Sequence, residues 1–160
     1  MIVRLAGGQD FDGFLRLASQ VEHWFGPMVE EPGFRRAVRE HIRGRVALVA
    51  VSGERDGSGA EDLLGGLLFG AEAGTYHVHW LVVSEWARGT GAGRALMAEA
   101  TRRFVTGPGT MEVVTFGADH PGAVASGSRA FYERLGFTAA EPAEPGPEGG
   151  TRQVYRRTVG

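Results

Sequence analysis

Two histidines one residue apart, His77 and His79, lie in the apolar run YHVHWLVV. Alternation along a strand puts both imidazoles on one face, about 7 Å apart, close enough to share a water. Histidine has the ordinary pKa nearest neutrality, so such a pair suits proton transfer. It also suits two partly buried rings hydrogen-bonded to loop carbonyls. Shortly after Val83 comes Arg88-Gly89-Thr90-Gly91-Ala92-Gly93, and a helical stretch from Arg94 to Phe104 follows at once. A strand that feeds a glycine-rich turn at a helix N-terminus makes an anion site. The glycines let a ligand approach the backbone, the first-turn N–H groups lack intrahelical partners, and the helix dipole favours negative charge. A phosphate-bearing ligand fits this description.

Two common phosphate loops are excluded. A P-loop ends in Gly-Lys-Ser/Thr, and the chain has no lysine. A dinucleotide loop needs G-x-G-x-x-G, whereas Gly91-Ala92-Gly93-Arg94-Ala95-Leu96 lacks the last glycine.

These residues need a sheet and helices to hold them. Ile2–Leu5 reads as a first strand, and Asp10 as the N-cap of a helix running to about Trp24, with Phe11, Phe14, Leu15, Ala18 and Val21 on one face. Gly33 to Ile42 reads as a second helix, ended by Gly44, and Val46–Val51 as a β-branched strand. Glu54 to Glu61 has the composition of a hairpin turn. Leu63–Phe69 and Tyr76–Val83 follow as strands across a Gly70–Gly74 turn. Met111–Phe116 is another strand, and residues 124 to 135 form the last helix. Glu141 to Gly150 reads as a mobile loop before a final strand, Gln153–Val159. The succession predicts an α/β fold, a mixed central β-sheet flanked by helices, over one domain of residues 1–160.

Composition narrows the function further. At 160 residues, 42% apolar and 22% charged, the chain has enough length to bury a core. A net charge of −2 leaves no electrostatic footprint for nucleic acid. The absence of cysteine excludes disulfides, thiolate metal sites and a cysteine nucleophile, and no metal site is expected. No apolar run approaches membrane-spanning length, and Met1-Ile2-Val3-Arg4 does not open a signal peptide, so a cytoplasmic location is expected and no membrane partner. All 17 basic residues are arginine, and asparagine is missing too, a bias that GC-rich codon usage explains.

Arg88, Gly91 and Gly93 fill the three fixed positions of [Q/R]-x-x-G-x-[G/A], and Ser128–Phe137, SRAFYERLGF, ends in F-Y-x-x-x-G-F. In this order the two segments resemble the signatures of the GNAT superfamily of N-acetyltransferases, well over roughly residues 46 to 140 and by general layout before that. The resemblance implies the GNAT acyl-CoA N-acyltransferase fold, in which two neighbouring parallel strands splay around a pantetheine arm, with acetyl-CoA as the acetyl donor. The backbone of Leu81, Val82 and Val83 would then bind pantetheine and polarise the thioester carbonyl. Arg88 and the amides of Gly89, Thr90, Gly91, Ala92, Gly93 and Arg94 would hold the pyrophosphate. Where family members often carry asparagine the chain has Ala125, so that cofactor contact is lost or supplied by Ser126 or Ser128. Gly117–Gly122 looks like an insertion, in which Asp119 and His120 fit a surface turn better than a site.

Acetyl transfer to an amine needs three things. The amine, with a pKa near about 10, must lose a proton, the carbonyl needs hydrogen-bond donors, and the departing thiolate needs a proton. The H-x-H pair resembles that of arylalkylamine N-acetyltransferases, which implies His77 and His79 as a base acting through water. His77 also falls where histone acetyltransferases of the superfamily place a glutamate base. Tyr132 resembles the tyrosine that many members use as general acid, and core packing with Phe131 and Phe137 is its other role. The family's acceptor wall maps onto Trp24, Phe25 and Met28, with Glu22, Glu30 and Glu31 available to attract a cation. A small-molecule amine is the expected acceptor. A peptide or protein N-terminus and a non-catalytic acyl-CoA-binding module stay open, as does a homodimer.

Overall fold

The computed structural model describes residues 1–53 and 62–160. The turn expected over residues 54–61 lies outside them. Seven strands form one sheet in the order β1-β2-β3-β4-β5-β7-β6. They are β1 Ile2–Leu5, β2 Ala47–Val51, β3 Leu63–Glu72, β4 Thr75–Val83, β5 Gly109–Phe116, β6 Thr138–Ala143 and β7 Arg152–Val159. Every neighbouring pair is antiparallel except β4 and β5.

Helices cover both faces. On one side α1 (Phe11–Ser19) and α3 (Pro32–Arg43) enclose a core of Phe14, Leu17, Val38, Val49 and Leu68. On the other, α4 (Ala92–Phe104) buries Leu96, Met97 and Ala100 against Leu48, Leu67 and Phe69. Burial on both faces is why β2 and the first half of β3 read as unbroken apolar runs. Gly65 and Gly66 let the opposed helices press onto β3. A side chain at Gly65 would meet Leu96, and one at Gly66 would meet Phe14.

Four expectations need correction. The first helix stops at Ser19, and the chain restarts as α2, Glu22–Phe25, which carries Trp24 and Phe25 away from α1. Asp10 stands at the N-cap position but does not cap forward. Its carboxylate, 4% exposed, accepts from the Gly7 N–H at 2.8 Å and pairs with Arg4 at 2.8 Å, which ties the helix start to β1. The last helix is two: α5 (Pro121–Ser126) and α6 (Ser128–Arg134), parted by Gly127 at φ +67°. Part of the supposed mobile loop is strand β6, which pairs with β7 at the sheet edge, where its Pro142 is tolerated.

Two irregularities in β4 prepare the site. Parallel pairing with β5 runs from Thr75↔Thr110 to Val78↔Val113 and then ceases, so the strands part. At the same level the β3–β4 register slips, leaving His79 as an extra residue between the Leu68↔Trp80 and Phe69↔Val78 pairs. This bulge reverses the alternation: Tyr76 and Val78 face α4, whereas Trp80 and Val82 face α1 and α3.

Leu96, fully buried on the helix that opens the glycine loop, gives a direct test of this packing. Leu96→Ala should cost about 2–5 kcal/mol, seen as a lower urea midpoint with an unchanged slope.

Candidate active site

The parting of β4 and β5 opens a cleft of about 950 Å³, within the range of small-molecule sites. One wall is the second half of β4, including His79, Trp80, Leu81, Val82 and Val83. The glycine loop closes one end, and Val113 to Phe116 of β5 with Ser128 and Tyr132 of α6 form the facing wall.

The loop has the geometry its glycines promise. Gly91 is the N-cap of α4 at φ +88°, a left-handed conformation that costs an L-residue roughly 1–2 kcal/mol. The Ala95 N–H returns to the Gly91 carbonyl at 2.9 Å, so the N–H groups of Ala92, Gly93 and Arg94 precede the first intrahelical bond and are free for an anion. Gly93 is buried, and a Cβ there would sit 3.1 Å from Phe131 and 3.4 Å from Val83. Arg88 and Arg94 line the same end, and the Arg88 guanidinium stands 5.2 Å over the Trp24 ring. Past Val78 the β5-facing edge of β4 has no strand partner among the described residues, so its backbone groups are open to a ligand. These are the residues that could hold an extended, phosphate-ended cofactor. Ser128 lines the wall with its hydroxyl taken as acceptor by Thr115 at 2.9 Å.

Of the two strand histidines, only His79 lines the cleft. The rings are nearly parallel with centroids 5.8 Å apart, on one face as alternation requires. His77 lies outside, 3.9 Å from Glu112, which Arg156 binds at 2.9 Å. His79 meets His41 of α3 instead, Nδ1 to Nε2 at 2.8 Å. Partial desolvation of its ring, then the charges of His41 and His77, hold the His79 pKa below the ordinary histidine value.

Tyr132 packs in the core and also lines the cleft. Its ring packs edge-on to Phe131 and Phe137, at 5.0 and 5.6 Å, while the residue lines the cleft. It is 5% exposed, and burial pushes its phenol well above the ordinary tyrosine value. The group is therefore protonated throughout the neutral range and able to donate.

Part of the cleft wall is aromatic and reaches the glycine loop where Arg88 stands over Trp24. Trp24, Phe25 and Met28 line it, joined by Phe116, which stacks on Phe25 at 4.6 Å and on His120 at 4.5 Å. Glu30 is not part of it: its carboxylate is 90% exposed, on the far side, 3.9 Å from Arg35. Glu22 turns to structure, accepting from the Met28 and Val29 N–H groups. Pro147 and Glu148 close this part of the cleft by packing on Gly26. The segment expected to be mobile is thus docked. His120 holds it: its Nδ1 accepts the Gly122 N–H at 2.8 Å, capping α5, and its Nε2 lies 3.4 Å from Glu148.

Sequence reasoning missed Phe116, Glu148, Trp80 and His41. The Trp80 indole N–H is buried and without a hydrogen-bond partner among the described residues, in a residue that lines the cleft. No spacing rule marks any of the four, since each joins the site from a different element. An NMR titration of the imidazole protons should place His79 below the ordinary value of about 6.5. His77→Gln should raise it, because the cationic form then loses a like-charged neighbour.

Comparison with known proteins agrees with this geometry. The acetyltransferase (GNAT) domain matches residues 39–139 of the chain. No curated protein matches it in sequence. Among solved structures, a GNAT-family protein from Desulfovibrio desulfuricans is 23% identical with a TM-score of 0.70, over 99% of each chain. A ribosomal-protein-alanine N-acetyltransferase from Brucella melitensis is 18% identical with a TM-score of 0.71, covering 99% of this chain and 100% of that one. An aminoglycoside 6'-N-acetyltransferase complexed with coenzyme A is 18% identical with a TM-score of 0.70, over 99% and 97%. The sheet flanked by helices matches the GNAT fold, and the chain belongs to the GNAT acetyltransferase family as an acyltransferase.

Proposed function

We propose that the protein transfers an acetyl group from acetyl-CoA to a small primary amine. The observation that carries this reading is the grouping, in one cleft, of the free first-turn amides of α4, the unpaired edge of β4, His79 and Tyr132. The donor fits: Gly91 to Arg94 with Arg88 suit a pyrophosphate, and the β4 edge suits the amides of pantetheine. Bound there, acetyl-CoA supplies the thioester carbon and a thiolate leaving group.

The chain's own residues do the rest. His79, neutral because its pKa is low, takes the proton from the acceptor ammonium, directly or through water shared with His77. Backbone N–H groups of Leu81 to Val83 stabilise negative charge on the carbonyl oxygen. Tyr132 supplies the proton that the sulfur needs as the amide bond forms and the carbon–sulfur bond breaks, and the second proton shed by the amine nitrogen restores the phenol through solvent. The products are the N-acetyl amine and the CoA thiol.

The closed acceptor end favours a small molecule over a peptide. A peptide needs an open groove between the two sides of the site, and here Pro147 and Glu148 meet Gly26 across it. The aromatic wall of Trp24, Phe25 and Phe116 fits an amine with an apolar or aromatic body.

CoA-thiol release should appear with one group in a panel of arylalkylamines, polyamines, aminoglycosides, amino acids and short peptides. Folded protein that binds acetyl-CoA yet turns over none of them would count against the reading. His79→Ala should lower kcat/KM by about 10²–10⁴-fold, and Tyr132→Phe should lower kcat with little change in acetyl-CoA affinity. Separately, Gly93→Val should weaken acetyl-CoA binding in calorimetry, because its side chain would displace Phe131 and Val83 from the cleft wall.

A further inference from the structure

We propose that His41 of α3 is a positioning residue that holds His79 in the tautomer with its proton on Nδ1, leaving Nε2 as the nitrogen that accepts the substrate's proton. This rests on the reading of His79 as the base. His41 itself does not line the cleft, so it acts only through His79.

The tautomers follow from two hydrogen bonds. His41 Nδ1 lies 2.6 Å from the carbonyl oxygen of Ala37, one helical turn back. A carbonyl only accepts, so the proton of neutral His41 is on Nδ1. Its Nε2 is then a bare lone pair, and it stands 2.8 Å from His79 Nδ1. Two lone pairs at that distance repel, so the proton between the rings belongs to His79 Nδ1. A neutral imidazole carries one N–H, and His79 Nε2 is therefore unprotonated. It has no hydrogen-bond partner among the described residues.

The surroundings fix the ring as well as the proton. A Cβ at Gly70 would fall 2.4 Å from His79 Cε1, so the Cε1 edge of the ring abuts the bare backbone of β3. His77 stacks beside it, and His41 meets it at 87°, centroids 5.1 Å apart. The charged or titratable groups bearing on His79 are His41 from α3 and His77 from β4, with Glu112 of β5 and Arg156 of β7 behind His77.

The test uses full-length protein with ¹⁵N-labelled histidine, the His79 signals being assigned by their loss in His79→Gln. Above the histidine titration range, wild type should show His79 protonated at Nδ1. His41→Phe keeps the ring and removes the acceptor, and there His79 should revert to the Nε2–H form that ordinary histidines prefer. kcat/KM should fall about 10- to 100-fold, the range typical of an orienting partner, with acetyl-CoA affinity unchanged. His41→Gln offers an amide oxygen to the same proton. It should keep the Nδ1–H tautomer and most of the activity. Nε2–H on His79 in wild type, or an unchanged tautomer in His41→Phe, overturns the proposal. If the tautomer switches as expected but His79→Ala keeps full turnover, the base assignment fails and His41 still sets the tautomer. If His79→Ala is inactive and the tautomer ignores His41, the reverse holds.

Discussion

The fork between β4 and β5 is the constraint on which the rest of this structure depends. A parallel pair that stops at Val78 and Val113 leaves backbone donors and acceptors inside the molecule with no strand to bind. Such groups are costly unless something else satisfies them. The flanking ladders, β3 with β4 and β5 with β7, continue past the fork on both sides and keep it open. The cleft is therefore a feature of the sheet itself, and a ligand with amide groups along its length can complete the missing ladder. The bulge at His79 stands at the same level, so the point where the strands part is also where a titratable side chain is re-aimed.

The cleft brings together groups of opposite character. The glycine loop offers helix amides, Arg88 and Arg94, which favour anions. The aromatic wall, which Arg88 touches at Trp24, includes Glu148, backed by a buried histidine. Two further groups that line the cleft have protonation states pushed apart. Desolvation and neighbouring histidines keep His79 neutral, and burial keeps Tyr132 protonated. On the proposed mechanism, one takes a proton and the other gives one at the same pH.

Much of this was legible because certain steps depend on one residue type. The left-handed Gly91 and the close contacts of Gly93 demand glycine, so the loop announced itself. The long helices showed their apolar period. What stayed hidden depended on contacts far apart in the chain. Thr138–Ala143, with its alanines and proline, has little strand propensity and is a strand only because β7 pairs with it. The proline- and glycine-rich stretch after it carries the composition of a free loop, yet Gly26 and His120 hold it in place. Glu30 shares a segment with Trp24 and Met28, but the turn of the chain sends it to the opposite side.

By itself the sequence determined the family motifs, the glycine loop at a helix N-terminus and the strand that carries two histidines, since these are local and depend on residue type and short spacing. Only the tertiary structure decided that His79 enters the cleft while His77 turns to Glu112, that His41 comes to meet His79, and that Phe116 and Glu148 join the cleft wall. The reason is physical. Local backbone preference is encoded over a few residues, whereas the direction of a strand side chain past a bulge, and the partner it finds, are set by how distant elements pack.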